Sequence, residues 1–229
     1  MGEEKRVFQI GGIAGLLAGV LFSLIIPIFV LLLPSMPADD PDRFLGTVFP
    51  ENQGVFTLMG ILALVASLLS IALFLALHRS LREVSPTYAL GGLLFYFLYV
   101  GLFVFSPGEL VAQLFVTPQL AGLYGAAGTE AGMAAVVQTF HALDLVSDQL
   151  FFAGSLFVFL SAASLGVLMW RHRAYGRLYA GIALLVALVI ILTLPFIVGS
   201  PGIRVPYVPA ILWLVFGWKV YTLSRGIEE

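Results

Sequence analysis

The residues whose types and spacing could do chemistry are Gln138, His141, Asp144 and Asp148, with Ser155 further along the chain. At 100° per residue the five fall within about 120° of arc, so a helix presents them as one polar stripe. One imidazole and two carboxylates at i, i+3 and i+7 could supply part of a metal site. His141, Asp144 and Asp148 would then be ligands of a divalent cation, with Glu109 or Glu130 added from the preceding segment. The same groups could equally relay protons. Asp144 and Asp148 stand four residues apart, where like charges repel unless a proton, a cation or bulk water intervenes. The wet face of a helix outside any membrane accounts for the pattern as well.

What the stripe means depends on the elements that carry it. The chain has 229 residues, 60% hydrophobic and only 10% charged, against about 25% charged in a soluble domain. That apolar excess exceeds what a water-soluble core can hide, and long uncharged stretches account for it. With no cysteine present, disulfides, thiolate nucleophiles and cysteine-based zinc or iron–sulfur sites are excluded. The basic patches that bind nucleic acid are absent too.

Six windows approach the ~20 residues needed to cross a ~30 Å hydrocarbon layer. They are 8 to 33, 54 to 77, 88 to 105, 149 to 170, 178 to 199 and 205 to 223. The first follows Glu3-Glu4-Lys5-Arg6 and is too long for a signal peptide, so it reads as a retained span. Lys5, Arg6, Arg79, Arg82, Arg171, Arg173, Arg177, Lys219 and Arg225 fall on one side of these spans, and only Arg43 and Arg204 on the other. By the positive-inside rule both termini are cytoplasmic. Asp39, Asp40, Asp42, Glu51, Glu109, Glu130, Asp144 and Asp148 make the external side acidic.

The expected fold is therefore an all-α polytopic transmembrane bundle of six spans, a single domain over 1–229. External loops are expected at about 34–53, Pro-rich and extended, and at 106–148. Within the second, 106–130 reads as a short interfacial or re-entrant helix, and a seventh span there is the alternative. Residues 131–148 are helical in pattern and run into span four; a continuous helix to Trp170 would measure about 60 Å. It must project outside, tilt strongly or break near Gly154. Ser-Pro-Gly closes spans three and five at 106–108 and 200–202, which suits a turn or a duplicated hairpin.

Gly11, Gly15 and Gly19 line one face of span one, a pattern that lets helix backbones approach closely in lipid. Ala63-x-x-x-Ser67 and Ala162-x-x-x-Gly166 are candidate partners within the chain, and a second copy of the chain is another. Phe95, Tyr99 and Phe103 share a face of span three and suit either packing or a groove for an apolar ligand. Pro27 and Pro195 should kink their spans. Trp170 and Trp218 mark a membrane boundary, to which Lys219 snorkels.

From Leu150 to Leu194 an apolar span, the turn Arg171-His172-Arg173-Ala174-Tyr175-Gly176-Arg177-Leu178 and a second apolar span follow in order. The segment resembles the late hairpin of an uncharacterised bacterial family of six-helix membrane proteins, known only as a domain of unknown function. Members often have Ser and Pro where this chain has His172 and Ala174. The resemblance implies a multi-pass protein of a bacterial plasma membrane and transfers no functional residue.

The leading functional expectation is binding or transport of a small ligand or cation through an external acidic vestibule formed by His141, Asp144, Asp148 and Glu109. A membrane-embedded metal-dependent hydrolase or transferase on the same residues is the second, and a non-catalytic helix-packing subunit the third. No G-x-S-x-G, Walker or H-x-x-x-H motif is present, and His78 and His172 lie on the opposite side from His141.

Overall fold

The computed structural model describes residues 2–32, 40–105, 114–198 and 208–226. Its described elements are helices: α1 (Glu3–Leu32), α2 (Pro41–Arg43), a π-helical turn (Phe44–Val48), α3 (Phe49–Leu81), α4 (Pro86–Phe105), α5 (Val116–Ala126), α6 (Glu130–Arg171), α7 (Gly176–Val198) and α8 (Val208–Gly226). Over the described residues each of the six windows read from hydropathy lies on one of the long helices, the fourth on the C-terminal half of α6. Five helices are long and apolar enough to cross a membrane.

α1 packs along α3 on one side and α8 on the other, and α6 packs along α4 and α7. Narrower contacts of α3 with α4 and of α7 with α8 join the two triplets. The apolar residues of α1 divide accordingly. Ala18, Phe22 and Ile25 are buried, whereas Ile10, Leu17 and Leu24 face outward, which places an apolar surface where lipid tails belong.

Glycine decides how closely α1 is held. A methyl group at Gly217 would lie 2.6 Å from Leu16 N and 3.0 Å from Gly12 O, and one at Gly12 would lie 2.5 Å from Tyr221 N. On the other flank one at Gly11 would overlap Ala76, and one at Gly15 would lie 2.7 Å from the Leu73 side chain. The α1 glycines thus pack within the chain, on the Ala72–Ala76 stretch of α3 and on α8. Gly19 meets Leu214 of α8. Ala63 and Ser67 are not the groups that Gly11 and Gly15 meet, and Gly166 of α6 instead admits Leu184 of α7.

Several buried hydroxyls are satisfied within the bundle. Ser67 Oγ donates to Ala63 O at 2.8 Å and Ser70 Oγ to Ser67 O at 2.6 Å. Ser161 Oγ reaches across to Gly92 O at 2.8 Å and ties α6 to α4. The Tyr96 hydroxyl donates to Ser70. Around it Phe74 stacks on the Tyr96 ring, and Phe22 contacts Trp213 edge-on and Phe103 at a tilt. The stripe of span three is therefore core: Tyr99 and Phe103 are buried, and Phe95 stacks on Phe157 of α6.

Two helices outrun a bilayer. α6 has 42 residues, roughly 63 Å at 1.5 Å per residue, and α3, which kinks at Asn52 (φ −115°, ψ 15°), runs roughly 44 Å from that kink to Leu81, against ~30 Å of hydrocarbon. The start of α3 and the first half of α6 meet at the end of the bundle opposite the termini. There Phe44, Phe49 and Phe56 cluster with Phe140 of α6, the Phe44–Phe140 centroids 5.7 Å apart. Leu45 and Phe56 are fully buried in this cluster, apart from the main core. A small second core thus forms, with Phe44, Leu45 and Phe49 supplied from the segment expected as loop.

The expectation of an extended loop over 34–53 is corrected for its described part. Asp40 Oδ1 accepts the Arg43 N–H at 2.9 Å and Pro41 takes the first helical position, so a helix starts there and leads through the π turn into α3. Leu45, Val48 and Phe49 give it a face to bury. α6 neither breaks nor kinks at Gly154, which packs against Tyr99 and Leu102. Thr129 caps its start, accepting the Gly132 N–H at 3.1 Å. α5 has 11 residues, about 16 Å, half of what a crossing needs. α1 continues through Pro27. Both Ser-Pro-Gly turns lie outside the described residues.

The close approach of α1 and α8 makes a testable prediction. Gly217→Ala places its methyl against α1 backbone and should cost about 1–3 kcal/mol. Gly181→Ala meets open space and should be neutral or gain up to about 1 kcal/mol. Unfolding titrations in mixed micelles check the pair; equal stability of the two variants contradicts the packing.

Candidate functional site

The polar stripe of α6 exists and is graded. Gln138 and His141 are exposed, Asp144 and Asp148 half-buried, and Ser155 buried, on one uninterrupted helix. His141 rests edge-on beside Phe140. Glu109 lies outside the described residues, so its part in a vestibule has no structural description. Among the described residues no three His, Asp or Glu side chains are grouped as a metal ion requires. His141, Asp144 and Asp148 therefore do not make a ligand set by themselves.

A recess of the right size opens at the other end of the bundle, where the termini and the two short turns converge. It is open on one side and has a volume of about 450 Å³, within the 300–1,000 Å³ range of small-molecule sites. Glu4 and Phe8 come from α1, Ser80 from the end of α3, Glu83 from the α3–α4 turn, and His172 and Ala174 from the α6–α7 turn. Lys219, Thr222, Leu223 and Gly226 come from α8.

Local geometry explains how these groups are set. α3 stops at Arg82 and Pro86 opens α4, which leaves a turn too short to cover the recess and puts Glu83 on its rim. α6 stops because His172 is extended, at φ −94° and ψ 122°, and α7 starts at Gly176 with φ +69°, a conformation suited to glycine. In that turn His172 Nδ1 accepts the Ala174 N–H at 3.2 Å. The proton of a neutral His172 is then on Nε2. Tyr175 packs edge-on beneath it with its hydroxyl buried beside Ser80 outside hydrogen-bond geometry, and burial pushes its pKa up.

The charges are mixed and incompletely paired. Lys219 Nζ sits 5.2 Å from the centre of the Tyr179 ring and has no carboxylate partner among the described residues. Glu4 and Glu83 are exposed on the rim. Arg79 Nη1 pairs with Glu3 Oε1 at 3.3 Å beside the recess, and Arg225 Nη2 donates to the Tyr221 hydroxyl at 2.7 Å. One ammonium, one imidazole, two hydroxyls and two carboxylates over the apolar Phe8 and Leu223 make a site suited to holding a polar solute. None of these groups forms a nucleophile–base pair.

Sequence reading did not find this recess. Its charged and polar groups come from four separated segments, and only bundle assembly brings them together. The one local signal was Lys219, a charge inside an otherwise apolar window. Comparison with protein-family models, with curated proteins and with solved structures found no match for this chain.

Proposed function

We propose that the chain is a six-span membrane protein of the plasma membrane, with both termini cytoplasmic, that binds a small polar solute at its cytoplasmic end. The recess bounded by Glu4, Ser80, Glu83, His172, Lys219 and Thr222 carries this reading. The nine-to-two distribution of basic residues supports the orientation. α8, with 19 residues, serves as the sixth crossing.

A second reading concerns the acidic stripe, and its burial gradient favours it. With Trp170 at the cytoplasmic boundary, ~30 Å of hydrocarbon at 1.5 Å per residue ends near Leu150. Asp148 then sits at the external edge of the bilayer, with Asp144 and His141 beyond it. So placed, the stripe gathers cations at the external face rather than ligating one in the membrane.

Because the chain has no cysteine, single cysteines report cleanly on both readings. A cysteine replacing Thr222 should react with an impermeant maleimide in inside-out vesicles and not in whole cells, and the low-mass fraction of a cytosolic extract should slow it several-fold. Labelling in whole cells contradicts the orientation, and an unchanged rate with extract contradicts solute binding.

At the other face, Leu145 is 64% exposed beside the stripe. A Leu145→Cys variant should react faster with a cationic than with an anionic methanethiosulfonate reagent, by about 2–5-fold at low salt. That ratio should fall toward one when Asp144 and Asp148 are changed to Asn. A ratio unaffected by the two changes removes the stripe as an electrostatic site.

A further inference from the structure

The solute-binding reading leaves the chemistry of the solute open, and the disposition of charge in the recess narrows it. Lys219 is half-buried and meets an aromatic face instead of a carboxylate. An ammonium held this way attracts an anion, and the neighbouring Ser80 hydroxyl and the His172 Nε2–H can donate to the same group, whereas the Thr222 hydroxyl donates to Lys219 O at 2.8 Å. A simple anion nonetheless meets a penalty, because Glu4 and Glu83 stand on the rim of the same recess. A simple cation meets the opposite penalty from Lys219. Only a molecule carrying both signs satisfies both sets of groups.

From this we infer that the recess takes a small zwitterion, an acidic group and a primary ammonium on a short apolar linker. Its acidic end lies toward Lys219, Ser80 and His172, and its ammonium end toward Glu83 and Glu4. The linker meets Phe8 and Leu223. This inference rests on the solute-binding reading and names the ligand class for that site. The same chemistry occurs free in water and in the headgroup of phosphatidylethanolamine. The recess opens at the level where Trp218, 54% exposed, and Trp170, 55% exposed, mark the bilayer boundary, so a headgroup and a free zwitterion can both reach it.

Calorimetric titration of the full-length protein in dodecyl maltoside with phosphoethanolamine tests this, with ethanolamine and methyl phosphate as single-charge analogues. Phosphoethanolamine should bind at least tenfold more tightly than either analogue. Lys219→Met and Glu83→Gln should each weaken it tenfold or more, and Lys219→Arg should keep most of the affinity, with thermal midpoints recorded to confirm that each variant is folded. In a parallel arm, nanodiscs of phosphatidylethanolamine should raise the thermal midpoint over phosphatidylglycerol nanodiscs if the headgroup is the occupant, and should not if the free zwitterion is. Analogues binding as tightly as phosphoethanolamine overturn the zwitterion inference and leave solute binding standing. No heat with any of the three ligands and no lipid preference overturns both. Binding unchanged by both Lys219→Met and Glu83→Gln overturns the assignment to this recess.

Discussion

Inside a bilayer apolar side chains gain nothing by leaving lipid for one another, so helices associate only where their backbones come close enough for dense packing. The contact of α1 with α8 at Gly12 and Gly217 meets that condition, and the rest of the bundle depends on it. At these positions a single methyl group would meet backbone atoms of the opposite helix. With α8 held on one flank and α3 on the other, α1 brings both ends of the chain to the same end of the bundle. The recess exists because the N-terminal turn of α1 and the last turns of α8 close around the α3–α4 and α6–α7 turns.

The middle of the bundle is closed. Phe22, Phe74, Tyr96, Phe103 and Trp213 come from four helices and fill it, and the Tyr96 hydroxyl is met by Ser70. Tyr96 is enclosed, and its hydrogen bond links α4 to α3 where water cannot substitute. The stripe on α6 and the recess at the termini are thus separate features at opposite ends, divided by packed aromatic rings. At the end opposite the termini, Tyr124 of α5 donates to Asp42 Oδ1 at 3.0 Å and holds α5 over the π turn, and the bond to that carboxylate raises the tyrosine pKa.

Much of the fold was legible in the sequence. Length and apolarity locate a helix whatever it packs against, so every hydropathy window corresponds to a long helix. The role of Gly11, Gly15 and Gly19 in close packing was legible for the same reason, but their partners were not, since small residues occur on several helices and sequence carries no rotation about the axes. The helix over 41–53 was hidden by its prolines and acids. Pro41 and Asp40 read as loop until their places at a helix start are known. The stripe was legible because one helix carries all five residues. The recess was not, because Glu4, Glu83, His172 and Lys219 share no period and no segment, and their proximity is a product of tertiary structure.

The disposition of α6 joins these points, since it fixes which groups are wet, which contact lipid, and whether the second aromatic core lies outside the bilayer. Spin labels on single cysteines at Ala134, Ala142, Leu160 and Val167, all outward-facing, report depth through their relative accessibility to oxygen and to a water-soluble nickel chelate. With the protein in bilayers, the labels at 134 and 142 should favour the chelate and those at 160 and 167 should favour oxygen. Oxygen-favoured labels at all four positions would place the whole helix in lipid and contradict the account.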